Sequence, residues 1–329
     1  MNNFRYSRAG SEAEALSTMQ RTPGAVFLGG GTNLIDYMKE GVLHPPALID
    51  VRALSASITE SNGGLRLGAG ATNTAVANHP LVRDRYPCVS QALLAGASPQ
   101  LRNVATVAGN ILQRTRCPYF RDTAFDCNKR SPGQGCAAYA GFNRSHAVLG
   151  GSPNCIATHA SDFCVALAAM DAVVLVTGPN GARRIPFPDF HVIPGETPER
   201  ENVLALGELI TAIDLPGPGA PRSCYVKVRD RASYEFALAS AAVHLEYSGG
   251  RISRAAIALG GVATKPWRAT LAENALTGKA LTDAIFRAAA AAELAPAQPR
   301  EHNEFKVALA QNVMVRALRI AAGQETAST

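Results

Sequence analysis

Val26 to Leu34 reads VFLGGGTNL: an apolar, strand-like run breaks into three glycines, then Thr32 and Asn33, before a second apolar run, LIDYM. Consecutive glycines let the backbone take positive φ and approach a ligand without Cβ interference. Their amides can converge on an anion, as in the backbone nests that hold phosphates. Thr32 and Asn33 add side-chain donors, and either can cap a following helix whose N-terminus favours negative charge. The spacing is neither that of a dinucleotide-binding βαβ unit nor that of a P-loop. Alone, the stretch fits a plain strand-to-helix turn equally well.

Working outward, a second cluster begins at Ala97, ASPQLRNVATVAGNI, with Ser98, Gln100, Arg102, Asn103, Thr106, Gly109 and Asn110 set among small or branched apolar residues. That density of polar groups suits a ligand-bonded loop better than a solvated turn. Together the two stretches resemble the FAD-binding subunit of the molybdenum hydroxylases, the xanthine dehydrogenase and aldehyde oxidoreductase family. That family carries a GGGT-(D/N)-L loop followed by SPQ-(I/L/V)-RN-x-(A/G)-T-(I/L/V)-x-GN, and both are matched here in that order.

The resemblance spans essentially the whole chain and implies an α+β architecture. Residues 1–216 would form a two-part, PCMH-like FAD-binding domain, and residues 222–329 a smaller α+β C-terminal flavoprotein domain. It implies FAD contacts from Val26, Phe27, Leu28, Gly29, Gly30, Gly31, Thr32, Asn33 and Leu34, and from Ser98, Thr106, Gly109, Asn110, Asp162, Ile210 and Lys227. The pyrophosphate would lie on Gly29–Gly31, where a Cβ at Gly30 would intrude on it.

Composition permits this reading. The chain has 329 residues, enough for two domains each with its own core. Hydrophobic residues make up 47% and charged residues 18%, which excludes a disordered chain. The net charge of +6 is spread without Lys/Arg runs or an aromatic stacking platform, so nucleic-acid binding is not expected. The N-terminus, MNNFRYSRAG, lacks a secretory pattern. The most apolar stretch, Phe163 to Val176, is broken by Asp171 and too short to span a membrane. A soluble chain is expected, with any export relying on a partner.

Seven cysteines exclude a complete intrachain disulfide set. Cys117, Cys127, Cys136 and Cys155 lie within or near a Gly-, Pro-, Asn- and Arg-rich stretch, Arg114 to Ser152, with little periodicity. A loop this long inside a domain is usually functional or tied down. Four thiolates on one metal centre would tie it, and both zinc and iron–sulfur clusters accept four cysteines. The spacing C-x9-C-x8-C-x18-C matches neither zinc knuckles nor ferredoxin runs. The resemblance adds that some family members, the periplasmic aldehyde oxidoreductases and 4-hydroxybenzoyl-CoA reductases, carry a 4Fe–4S cluster in an insertion here. The text RCPYFRDTAFDCNKRSPGQGC is nearer the former. It implies these four cysteines as ligands, in an insertion over about 114–156. Cys88, Cys164 and Cys224 sit in apolar surroundings and read as small core residues.

Elsewhere the pattern predicts a helix near Ala13–Met19, a helix through Tyr37 and Met38, and strands at Ala47–Val51 and from Leu65. The strand from Leu65 leads through Gly68, Ala69 and Gly70 to a helix at Thr72–Asn73. Those three small residues serve either close approach to the flavin or tight packing. Ser161 reads as an N-cap. Asp162 complements the helix N-terminus, and the resemblance adds a bond to the flavin's ribityl chain. The Pro216 to Pro221 stretch marks the domain boundary. Beyond it, SCYVKVRDRASYEFALASAAVHLEY is ambiguous between helix and strand in its second half. Ala-rich helices follow near Asp283–Leu294 and Glu304–Ala322. Lys227 either reaches the flavin, as the resemblance implies, or sits exposed on an edge strand. Trp267 reads as packing.

The residues offer no substrate-side base and no molybdenum ligand set. The resemblance implies substrate oxidation on a large molybdenum-cofactor subunit, and transfer through 2Fe–2S clusters of a small subunit to this flavin. An external acceptor would then be reduced: the lack of a visible nicotinamide-binding βαβ motif agrees with ferredoxin, quinone or oxygen, and NAD docking against exposed flavin stays open. Periplasmic residence by co-export with a signal-bearing partner is expected, with the cytoplasm as the alternative. A self-sufficient flavoenzyme and a zinc-stapled binding module are the competing readings.

Overall fold

The computed structural model describes residues 1–326; the last three residues of the C-terminal domain expected over 222–329 lie outside the described residues. Three sheets organise the chain. The first is parallel and three-stranded, with Ala47–Asp50 between Arg5–Arg8 and Val26–Leu28. Its central strand is buried throughout, as parallel strands covered on both faces require. Helix Glu12–Arg21 starts where Ser11 Oγ accepts from the Glu14 amide at 3.2 Å, and it covers one face. Helix Leu34–Lys39 leaves directly from the glycine loop and buries Tyr37 and Met38.

The second sheet is antiparallel, in the order Ile58–Ser61, Gly64–Gly68, Leu209–Leu215, Val173–Gly178, Gly181–Pro186. Helix Asp162–Ala169 packs beside it with all eight residues buried. A helix apolar on every side needs cover on every side, and the third sheet supplies it. That sheet runs Trp267–Arg268, Arg251–Gly260, Ala239–Ser248, Ser223–Val228, all antiparallel. Helices Thr270–Leu276, Asp283–Leu294 and Phe305–Ala321 close the far face of the third sheet around Phe286, Met314 and Leu318. The near face puts Tyr225, Ala242 and Ala258 into the same core as Phe163 and Leu167.

The ambiguous segment after Ser223 resolves as two strands, Ser223–Val228 and Ala239–Ser248, joined by a loop over residues 229–238. The apolar alternation is masked there because most of Ala239–Leu245 is buried on both faces. Helices Pro80–Arg85 and Pro87–Ala95 have no counterpart in the sequence reading. Each begins with proline at its first position, where the missing N–H costs nothing.

Residues 114–156 carry one short helix, Pro118–Arg121, and are otherwise irregular. Side chains replace regular structure. Arg130 donates to the carbonyls of Tyr119 at 3.0 Å and Phe120 at 2.7 Å, and Asn128 Oδ1 accepts from the amides of Gly133 and Gly135. The Phe120 ring meets Tyr37 edge-on at 5.7 Å, tying the segment to the helix behind the glycine loop.

Candidate cofactor site

The glycine loop is shaped by its neighbour, the segment 104–106. Gly31 takes φ +75°, which only glycine adopts cheaply. A Cβ on Gly30 would lie 2.1 Å from the Val104 carbonyl oxygen, and one on Gly29 would lie 2.7 Å from Thr106 Oγ1. The expectation that a side chain at position 30 would strike the cofactor is therefore corrected: it would strike this backbone first. Among the described residues, none accepts a hydrogen bond from the amides of Gly30, Gly31 or Thr32. These donors are free for an anion. Asn33 stands at the N-cap of Leu34–Lys39 without capping it. With its amide oxygen turned toward Arg116, it accepts from Nη2 at 2.6 Å and Nη1 at 3.2 Å.

Two cavities meet at this loop. One, of about 220 Å³, is lined by Val26, Phe27, Gly29, Gly30, Gly31, Thr32, Asn33, Leu34, Thr106, Gly109 and Ile210. The other, of about 670 Å³, is lined by Gly31, Thr32, Asn33, Gly109, Asn110, Asp162 and Lys227. Gly31, Thr32, Asn33 and Gly109 belong to both. Two of the anticipated contacts lie elsewhere. Leu28 packs into the core with Met38 and Leu48 and lines neither cavity. Ser98 lines neither cavity, and its Oγ caps helix Pro99–Arg102 at the Leu101 amide. Ala69 and Gly70 line the smaller cavity, while a Cβ on Gly68 or Gly70 would strike the carbonyls of Ser55 and Leu54, so those small residues serve packing as well.

The larger cavity is polar where a ligand would need partners. Asn110 Oδ1 accepts from Ser161 Oγ at 2.6 Å and Gln113 Nε2 at 2.8 Å, which orients the amide. Asn73 Oδ1, Arg116 Nε and Arg121 Nη1 are buried without a protein partner and belong to residues that line this cavity. Buried polar atoms are rarely left unpaired, and these three lie within the cavity wall rather than on its open face. No motif or periodicity points to Asn73 or Arg121, which reach the cavity through tertiary packing alone. Tyr234, Glu235 and Phe236 of the 229–238 loop also form part of its wall.

Asp162 stands at the first turn behind the Ser161 cap, whose Oγ accepts from the Cys164 amide at 3.1 Å. Its Oδ2 accepts from Lys227 Nζ at 2.8 Å, and its Oδ1 from the Tyr225 hydroxyl. Lys227 lies on an edge strand, yet its side chain is only 4% exposed, so the exposed-surface alternative fails. Burial and the Asp162 charge push the Tyr225 hydroxyl well above its ordinary pKa, keeping it a donor.

The four cysteines of the insertion converge. Cys117, Cys127, Cys136 and Cys155 line one small void with Tyr119, Phe120 and Lys129, and none is disulfide-bonded. Cys127 and Cys136 face each other across an isolated bridge. Burial pushes the Cys117 thiol up to about 12 and Cys155 up to about 11, so thiolates here require a positive centre. Sulfurs around one zinc ion lie about 3.8 Å apart, from tetrahedral geometry at about 2.3 Å. The four sulfurs line one void together, and a site for a single ion holds its ligand atoms within about 4.8 Å of one another.

His159, Cys164 and His191 do lie within that distance. Their hydrogen bonds argue against a metal. The Ser161 amide donates to His159 Nδ1 at 3.3 Å, which puts the ring proton on Nε2. His191 Nε2 donates to the Ile111 carbonyl at 2.9 Å, which leaves Nδ1 as an acceptor. His159 Nε2 thus carries a proton where a metal would need a lone pair, and the two rings meet edge-on with centroids 4.5 Å apart. Cys88, Cys164 and Cys224 are buried core residues.

Residues 2–218 match the family described as FAD binding domain in molybdopterin dehydrogenase, and residues 224–321 match the CO dehydrogenase flavoprotein C-terminal domain. The chain belongs to the FAD-binding medium subunits of the molybdenum hydroxylases. It is 49% identical over 330 residues to the aldehyde oxidoreductase FAD-binding subunit PaoB of Escherichia coli (strain K12), covering 98% of this chain and 100% of that one. It is 27% identical to the glyceraldehyde dehydrogenase medium chain of Sulfolobus acidocaldarius, over 86% of this chain and 84% of that one. Among solved structures, it superposes on a chain of the carbon monoxide dehydrogenase of Hydrogenophaga pseudoflava with TM-score 0.77 and 27% identity, covering 98% of each. The chain is thus a subunit of a molybdenum-hydroxylase-type oxidoreductase, and its N-terminal part is an FAD-binding domain. The expected α+β architecture stands. No helix of the described residues is long and apolar enough to cross a membrane.

Proposed function

We propose that this chain is the electron-exit subunit of an aldehyde-oxidising molybdenum hydroxylase, holding FAD between its N-terminal part, 1–216, and the part from 222 onward. The supporting observation is the pair of cavities joined at Gly31–Asn33. A ligand with two bulky ends and an anionic bridge fits that shape, the bridge falling on the unpaired amides. FAD, once bound, supplies the switch between two-electron and one-electron transfer. Val26, Phe27 and Ile210 give the smaller cavity its apolar wall, suited to an adenine. Asp162, Lys227 and Asn110 give the larger one fixed polar groups, suited to the hydroxylated chain and ring edge of the flavin. Substrate oxidation falls to a large molybdenum subunit. A small 2Fe–2S subunit would deliver electrons, and a ferredoxin, quinone or oxygen would accept them.

The convergence of Cys117, Cys127, Cys136 and Cys155 on one void, without disulfides, supports a 4Fe–4S cluster in the insertion. The identity to an aldehyde oxidoreductase subunit supports an aldehyde as substrate of the whole enzyme. Residence in the periplasm by co-export is the reading for compartment, and cell fractionation tests it. The function is tested by anaerobic purification with metal analysis, a visible spectrum and reduction assays. Bound flavin with roughly four irons per chain, reduced by partner subunits and an aldehyde but inert toward aldehydes alone, is expected. Zinc in place of iron removes the cluster. Turnover of a substrate by the isolated chain removes the subunit role.

A further inference from the structure

Beside the cysteine site lies a buried histidine that neither the flavin cavities nor the ligand set uses. His146 is 2% exposed, and its Nε2 sits 3.1 Å from Cys117 Sγ. Its other nitrogen, Nδ1, is buried with no partner. An imidazole always carries at least one ring proton, and leaving a buried N–H unpaired costs more than leaving a lone pair unpaired. The proton therefore sits on Nε2 and points at the sulfur.

The backbone at His146 is held just as firmly. Lys306, with 0% exposure, donates from Nζ to the His146 carbonyl at 2.9 Å and to the Gly261 carbonyl at 2.5 Å. Asn303 Nδ2 donates to the same His146 carbonyl at 3.3 Å. Lys306 makes no ion pair with a carboxylate among the described residues. The sulfur-directed N–H thus stands on a stretch of backbone that Lys306 and Asn303 hold in place.

We infer that His146 is a positioning residue that donates an Nε2–H hydrogen bond to the Cys117 thiolate and thereby raises the reduction potential of the cluster held there. The inference rests on the cluster reading above. Donors to ligand sulfurs withdraw electron density and favour the reduced, more negative state. Cys117 alone among the four sulfurs has such a side-chain donor among the described residues. The donation makes the cluster site asymmetric, with its easiest-reduced side toward residue 117.

The test uses the full chain, purified anaerobically with its co-purifying subunits, as wild type, His146→Leu and His146→Gln. Iron content is measured first, and the cluster is then titrated potentiometrically by EPR. If the wild type holds no iron, the cluster reading fails and the histidine question does not arise. With iron retained, His146→Leu should lower the reduced-to-oxidised ratio at a fixed applied potential about tenfold, roughly 59 mV for a one-electron couple. His146→Gln, which keeps a donor, should stay within threefold of wild type. An unchanged potential in the iron-loaded leucine variant overturns the inference. Should that variant lose iron, the wild type labelled with 15N-histidine decides. Hyperfine coupling of the reduced cluster to an imidazole nitrogen supports the bond, and its absence overturns it.

Discussion

Lys227→Met tests the link between the two halves of the flavin site most directly. In the folded chain, Lys227 Nζ lies 2.8 Å from Asp162 Oδ2, with the side chains 4% and 8% exposed. Removing the ammonium leaves a buried carboxylate whose remaining side-chain donor is the Tyr225 hydroxyl. Breaking one partner of a buried pair costs about 3–5 kcal/mol, and the retained Tyr225 bond puts this case near the lower end, about 3 kcal/mol. The second Lys227 bond, to the Ala95 carbonyl, adds little, because Arg229 Nη1 also donates to that oxygen at 3.1 Å. At about 2–4 °C per kcal/mol for a domain of this size, the loss corresponds to roughly 6–12 °C in the melting temperature of flavin-free protein. Asp162→Asn alone should cost a similar amount by stranding the lysine. The double variant carries no uncompensated charge, so it should recover about 2 kcal/mol relative to the sum of the singles. Thermal unfolding followed by circular dichroism on all four proteins closes the cycle. Additivity of the two singles within about 0.5 kcal/mol would refute the coupling.

Cys127→Ser should lose iron while keeping most of its flavin, since Cys127 lines neither flavin cavity; iron analysis beside the absorbance of bound flavin reads it, and parallel loss of both would mean the insertion supports the flavin fold. Gly30→Ala should destabilise the flavin-free chain by about 1–3 kcal/mol, because its Cβ meets the Val104 carbonyl rather than open space; flavin loss with an unchanged melting temperature would place that Cβ in the cavity instead. The Arg52 guanidinium, with the Tyr6 hydroxyl, holds the Asp50 carboxyl well below the usual carboxylate range. A depressed folded pKa stabilises above the unfolded value of about 3.9 and is lost as pH falls through the folded value. Asp50→Asn should therefore cost about 1 kcal/mol near pH 7, discounted because Arg52 is half exposed. The gap to wild type should narrow below about pH 4 in urea unfolding at a series of pH values, and a constant gap would show that the carboxylate charge is not its source.

Much of this site is legible in the residues because the cofactor loops are local. VFLGGGTNL sets strand, loop and helix in nine consecutive positions, and the structure keeps that order. Ser161 as a cap is equally local, one hydroxyl and one amide three residues on. What stays hidden depends on distant packing. Asn73 and Arg121 enter the cavity wall through contacts between segments far apart in sequence, and no periodicity points to them. Leu28 and Ser98 show the converse. Each sits inside a cofactor motif but is engaged elsewhere, Leu28 by the core around Met38 and Leu48 and Ser98 by the helix start it caps. The strand Ala239–Ser248 escapes a sequence reading because burial on both faces erases the alternation that identifies half-buried strands.

The carbonyl of Val104 occupies the space that a side chain at Gly30 would need, so the loop and the strip beside it interlock backbone against backbone. Such a lock leaves the vestibule already cut to size when the chain finishes folding. Little disorder then remains to be frozen out on docking, and a rigid receptor of this kind spends its contacts on retention rather than on rearrangement. Flavin should accordingly be a late passenger, inserted into a finished subunit and slow to leave it.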